Sequence, residues 1–222
     1  MSKKELDYNL DCTKLKDGDI LCVSAKKWNI FTNGIKLLTH SQINHVGLLI
    51  KEKEIIQWGT PENTQIEDKW YVIEAVGRLV KRPLLETYPP DKYNLKVVRV
   101  RPNVFASRSE CEKARRTAVK RAYDDIGKSY DYLHCAGLAL KYIFKPIARM
   151  ISLSKKYTLF ESKDKLICSE AVSEWYYGTS SVYNKHLFIG KKDKNAMPET
   201  TSPKDVCKAP SVIFVTGQKD LK

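Results

Sequence analysis

His45-Val46-Gly47-Leu48-Leu49-Ile50 is a continuous apolar run with polar residues on either side. Its length and β-branched content predict a buried strand rather than a helical segment. The residues before it, Thr39-His40-Ser41, read as a turn. Further upstream, Asp17-Gly18 reads as a turn that opens a short strand over residues 20–24. Downstream, residues 70–76, closed by Gly77, and 95–100, ended by Arg101-Pro102, give two more strands, and 212–215 gives a last one.

Helices are read between these runs. Ser107 and Ser109 each have a glutamate three residues on, the pattern by which a hydroxyl and a carboxylate cap a helix start. Cys111, Ala114, Ala118, Ala122 and Ile126 then recur at helical spacing until Gly127. Shorter helices are expected over 29–38, over 138–152 with a bend at Pro146, and over 168–177, closed by Gly178. The lysine-rich segments 155–165 and 190–205 read as loops. Interleaved strands and helices without an internal repeat give an α+β class.

The chain has 222 residues, and its composition, 42% hydrophobic and 10% aromatic, excludes wholesale disorder. A net charge of +13 favours anionic partners, but the lysines run from Lys3 to Lys222 rather than forming one tract. No nucleic-acid motif accompanies the charge, so no specific nucleic-acid partner is expected. Residues 1–11 lack the apolar core of a secretory leader, and the most apolar stretch, 135–153, is broken by Lys141, Lys145, Pro146 and Arg149. These features give an expectation of a cytoplasmic protein, at most peripheral to a membrane. Lys141, Lys145 and Arg149 form a basic stripe beside Ile143, Phe144, Ile147 and Ile151, which would suit an anionic membrane surface. The six cysteines show no CxxC pair and no zinc-ligand spacing, so they read as reduced thiols, with no metal or cofactor expected.

One cysteine stands apart. Cys168 opens a helix whose apolar face is Ala171, Val172 and Trp175. The N–H groups and positive end of a helix favour thiolate and can also bind the oxyanion formed when an acyl carbon is attacked. A thiolate mechanism needs a base and a group that orients it. Of His40, His45, His134 and His186, His45 heads the most apolar strand, where its ring would be anchored yet able to reach a cleft. Glu74 interrupts another apolar strand, and a buried carboxylate needs a partner. That partner is either an imidazole or one of the many lysines.

Five pieces, in order, resemble the permuted papain-like branch of the NlpC-type cysteine peptidase superfamily, the YiiX-like group. They are Gly18-Asp19-Ile20-Leu21, Ser41-Gln42-Ile43-Asn44-His45-Val46-Gly47, Val72-Ile73-Glu74-Ala75-Val76, Ile126-Gly127-Lys128-Ser129-Tyr130-Asp131 and Ile167-Cys168-Ser169-Glu170. The resemblance implies a single domain over 1–222 with its core at about 12–217. Its sheet would be mostly antiparallel or an open barrel, with the cysteine helix packed against it and the basic stretch 141–165 as an insertion or lid. It also implies Cys168 as nucleophile, His45 as base and Glu74 as orienting group, with Tyr130 and Asn44 on the substrate side. The implied activity is hydrolysis of a peptide, isopeptide or amino-acid amide, or of an ester, through an acyl-enzyme. Lecithin-retinol acyltransferase relatives share the architecture, so a lipid-directed acyltransferase or acyl hydrolase is the first alternative. A catalytically silent basic binding module is the second.

Overall fold

The computed structural model describes residues 10–26, 41–57, 64–130, 165–182, 187–188 and 201–221. The helices expected over 29–38 and 138–152 lie outside them, as does all but the last position of the basic stretch 141–165. The strands are β1 (Ile20–Ala25), β2 (His45–Gln57), β3 (Thr64–Val76), β4 (Arg78–Pro83), β5 (Tyr93–Val100), β6 (Ser129–Tyr130), β7 (Lys165–Leu166) and β8 (Val212–Gly217). They form one sheet in the order β7-β6-β4-β3-β2-β1-β5-β8. Every pairing is antiparallel except that of the two-residue strands β6 and β7. The helices are α1 (Leu84–Thr87), α2 (Arg108–Asp124), α3 (Cys168–Tyr176) and α4 (Pro203–Lys208). This is the α+β, mostly antiparallel architecture expected from the sequence.

The central strands are continuously apolar because both faces of the sheet are covered. Ile20, Cys22, Val46, Leu48, Ile50, Ile73 and Ala75 point to the side where α2 and α3 pack. Leu21, Val23, Leu49, Val72, Leu95 and Val97 point to the other, under Leu84 and Tyr88. Helix α2 begins as its capping residues require: Ser107 Oγ accepts from the Glu110 N–H, and the Glu110 carboxylate accepts from the Ala106 N–H. Its buried stripe is Cys111, Ala114, Ala118 and Ala122, small side chains that let the helix approach α3 closely. Ile126 falls beyond the last turn and is exposed, so the apolar stripe stops four residues earlier than the spacing suggested.

Gly18-Asp19 is the pivot at the start of β1. Gly18 has φ +80°, and a side chain there would meet the Tyr176 hydroxyl, which donates to the Gly18 carbonyl. Asp19 is fully buried and takes both nitrogens of the Arg99 fork, at 2.6 and 2.7 Å, together with the Lys16 N–H at 2.8 Å. This anchor ties β1 to β5 and, through Tyr176, to the end of α3.

Two expectations are corrected, and one strand has no counterpart in the sequence reading. Strand β4 carries no apolar run: only Leu79 is buried along it, and β4 forms because Gly77, at φ +72°, folds the chain back onto β3. The segment 190–205 is not all loop, because α4 starts at Pro203. Ser202 caps it, and the Asp205 carboxylate accepts from the Ser202 N–H in return. The cysteines are not all reduced: Cys22 of β1 and Cys207 of α4 form a disulfide across a separation of 185 residues. No local spacing could signal that pairing, since only the tertiary fold brings α4 against β1. Among the described residues, no helix is long and apolar enough to cross a membrane.

Candidate active site

The site lies where β2 begins. Leu48 pairs with Ile73, so Gly47 stands opposite Glu74, with His45 diagonal to it on the same face. Across the next strand, Glu74 pairs with Val80, and Arg82 lies diagonal on that side. The Glu74 side chain is fully buried, and described residues of three further segments supply its donors. His45 Nε2 lies 2.6 Å from Oε2, and the Tyr88 hydroxyl donates to the same oxygen. Arg82 donates to Oε1 through Nε at 2.8 Å and through Nη2. Among the described residues, the carboxylate suspected from its place in an apolar strand is therefore paired with the imidazole and with an arginine, not with a lysine.

Cys168 is the first residue of α3 and is 5 % exposed; Ile167 is the cap. The Glu170 carboxylate accepts from the Ile167 N–H at 3.1 Å, fixing the angle at which the chain enters the helix. Ser169 Oγ donates to the Thr201 carbonyl at 2.6 Å, which pins the segment before α4 against this helix start. The Cys168 thiol lies beside the His45 ring and interacts with it, and the backbone N–H groups of Ser169 and Val46 add to the polar surroundings that favour its anion. With Nε2 engaged by Glu74, Nδ1 is the ring nitrogen left to serve the sulfur. His45, 15 % exposed in its side chain, thus bridges the carboxylate and the thiol.

The charges reinforce one another. Burial alone would raise the Cys168 thiol, but the adjacent imidazolium and the N–H groups outweigh it and hold the thiol below its ordinary range. Burial alone would deprotonate His45, yet the Cys168 thiolate and the Glu74 carboxylate together raise it to about 10. Glu74 follows the same logic, with burial overcome by His45, Tyr88 and Arg82 so that it stays ionised. Burial and the facing carboxylate push the Tyr88 phenol well up, so it remains a donor. These shifts all favour the charged forms: anionic sulfur, cationic ring and ionised carboxylate.

The other sequence candidates sit close by. Asn44, immediately before β2, is buried; its Oδ1 accepts from the Ala25 N–H at 2.9 Å while its own N–H donates to the Val23 carbonyl at 3.0 Å. It thereby sets the entry of the strand that carries His45. Tyr130 lies at the end of β6, paired with Leu166 one residue before the cap of α3. Sequence reasoning missed Arg82 and Tyr88. Arg82 lies in a strand without apolar periodicity, and Pro89-Pro90 marks a chain reversal next to Tyr88 but says nothing about its hydroxyl.

An antiparallel sheet that carries the imidazole on an early strand, with the thiol on a later helix packed against it, is the papain-like arrangement in permuted order. A family model described as permuted papain-like amidase enzyme of the YaeF/YiiX type, C92 family, matches residues 14–216, and the chain belongs to that family. No match was found among curated proteins. The family makes this an amidase- or peptidase-type hydrolase of papain-like class.

Proposed function

We propose that the protein is a cysteine-nucleophile hydrolase that cleaves an amide bond (peptide, isopeptide or amino-acid amide) or an ester through a Cys168–His45–Glu74 triad and an acyl-enzyme. The observation that carries this reading is the imidazole set between the two groups: Nε2 is 2.6 Å from Glu74, and the ring interacts with the Cys168 thiol on its other side. Thiolate attacks the carbonyl carbon, and the electron pair of the C=O bond moves to oxygen. The N–H groups of the first turn of α3 face the resulting oxyanion. The bond to the leaving nitrogen or oxygen then breaks as His45 Nδ1–H gives it a proton, leaving a thioester on Cys168. Water attacks the thioester, His45 takes its proton, and the acid leaves as the thiolate re-forms. Glu74 stays ionised throughout and keeps Nδ1 directed at the sulfur.

The Cys22–Cys207 bridge also bears on where the protein works. Glutathione keeps cytosolic thiols reduced, so a structural disulfide favours a more oxidising compartment than the cytoplasm expected from the sequence. A panel of fluorogenic peptide amides and esters tests the activity. Hydrolysis present in the native protein and absent in Cys168→Ala, with unchanged thermal unfolding, is the expected outcome. Undiminished hydrolysis by Cys168→Ala would remove the reading.

A further inference from the structure

We propose that Arg82 and Tyr88 are positioning residues that clamp Glu74 and thereby set the orientation of His45 toward Cys168. The inference rests on the triad reading above and extends it to residues that touch neither the thiol nor the reacting carbonyl. A buried carboxylate has two oxygens and can rotate; here each oxygen has its own restraint. Arg82 takes Oε1 with two nitrogens of its fork, and Tyr88 takes Oε2, the oxygen that also receives His45. The Tyr88 ring is itself held edge-on against Tyr93, with centroids 5.0 Å apart, and is only 4 % exposed. Its hydroxyl therefore points at Glu74 from a fixed base.

The clamp also balances charge. Among the described residues, the charged or titratable groups facing Glu74 are His45 from β2, Arg82 from β4 and Tyr88 from the segment after α1, with Cys168 of α3 beyond the imidazole. Thiolate, imidazolium, carboxylate and guanidinium sum to zero. Without the guanidinium the buried set would carry one net negative charge, and a proton would return to Glu74 or to Cys168. A proton on Cys168 removes the thiolate outright, and a proton on Glu74 weakens the imidazolium that stabilises it, so both raise the thiol. Loss of the Tyr88 hydroxyl keeps the charge but removes one of the two donors on Oε2, so its effect runs in the same direction and is smaller.

The test needs no natural substrate. The rate of Cys168 carboxamidomethylation by iodoacetamide is followed against pH, with the adduct located by peptide mapping and folding checked by thermal unfolding. Arg82→Met is expected to move the acid limb of the profile up by about one pH unit, a tenfold loss of rate on its acid side. Arg82→Lys, which restores the charge but not the fork, is expected to recover most of that loss. Tyr88→Phe, which keeps the packing, is expected to shift the limb by less and in the same direction. If native Cys168 titrates like an ordinary thiol, near pH 8.5, the triad reading itself fails. If the native limb is low and Glu74→Gln raises it, while folded Arg82→Met and Tyr88→Phe leave it in place, the clamp is overturned and the triad stands.

Discussion

Gly47 leaves the space that Glu74 occupies: a methyl group added there would lie 3.1 Å from Glu74 Cβ and 2.5 Å from Val72 Cγ2. The backbone of β2 thus lies close against the carboxylate side of β3, and this closeness brings His45 within 2.6 Å of Glu74. Gly47→Ala should push β3 away at this point. Overpacking of this kind costs about 1–3 kcal/mol, measured by denaturant unfolding. Cys168 alkylation at neutral pH should fall at least several-fold in the same variant, because the ring loses its partner.

Hydrolysis should follow a broad bell against pH. The thiol is held below its ordinary range, so the lower limb falls below the pH at which a free cysteine ionises. His45 is raised to about 10, so the proton needed by the leaving group is lost only as pH rises through that value. The pH profile of kcat/KM on any ester or amide that the protein turns over checks both limbs. In Glu74→Gln the lower limb should move up and the upper limb down, since the carboxylate that stabilises imidazolium is gone.

The Asp19–Arg99 anchor should govern stability without governing chemistry. Asp19→Ala leaves a largely buried guanidinium without its carboxylate, a loss of about 3 kcal/mol by the usual cost of breaking a buried pair. Urea unfolding should show that loss. The alkylation profile of Cys168 should keep its native limb in the fraction that remains folded.

Reduction should loosen the fold around the thiol. The Cys22–Cys207 bridge ties α4 to β1, and Cys22 lies directly opposite Val46, whose N–H helps to hold the Cys168 thiol down. Cys22→Ala/Cys207→Ala should lose about 2–5 kcal/mol relative to the oxidised protein, read as a lower melting temperature. Native protein melted with a strong reductant should approach the same value.

Much of the fold was legible because burial on both sides writes continuous apolar runs: 45–50, 70–76 and 95–100 all fall within strands. Ser107 was legible as a cap because its hydroxyl and Glu110 meet the same few N–H groups in any helix start. The importance of Glu74 followed from the cost of placing a carboxylate among Val72, Ile73 and Ala75. What the sequence hid depends on distant contacts. Strand β4 needs β3 as its template, Cys207 needs the docking of α4, and the roles of Arg82 and Tyr88 exist only once Glu74 has a fixed place between them.

The proposed triad makes Cys168 the reactive thiol by its microenvironment, not by its exposure. Among the described free cysteines, Cys12 is the more accessible, while Cys168 and Cys111 are buried. Burial raises the thiols of both Cys12 and Cys111, with Asp11 adding to the effect at Cys12. Brief treatment with substoichiometric iodoacetamide at neutral pH, followed by peptide mapping, separates the two explanations. The triad predicts that the label falls on Cys168 ahead of Cys12 and Cys111, and that His45→Ala abolishes this preference. Label that follows accessibility, with Cys12 modified first and the pattern unchanged in His45→Ala, would contradict it.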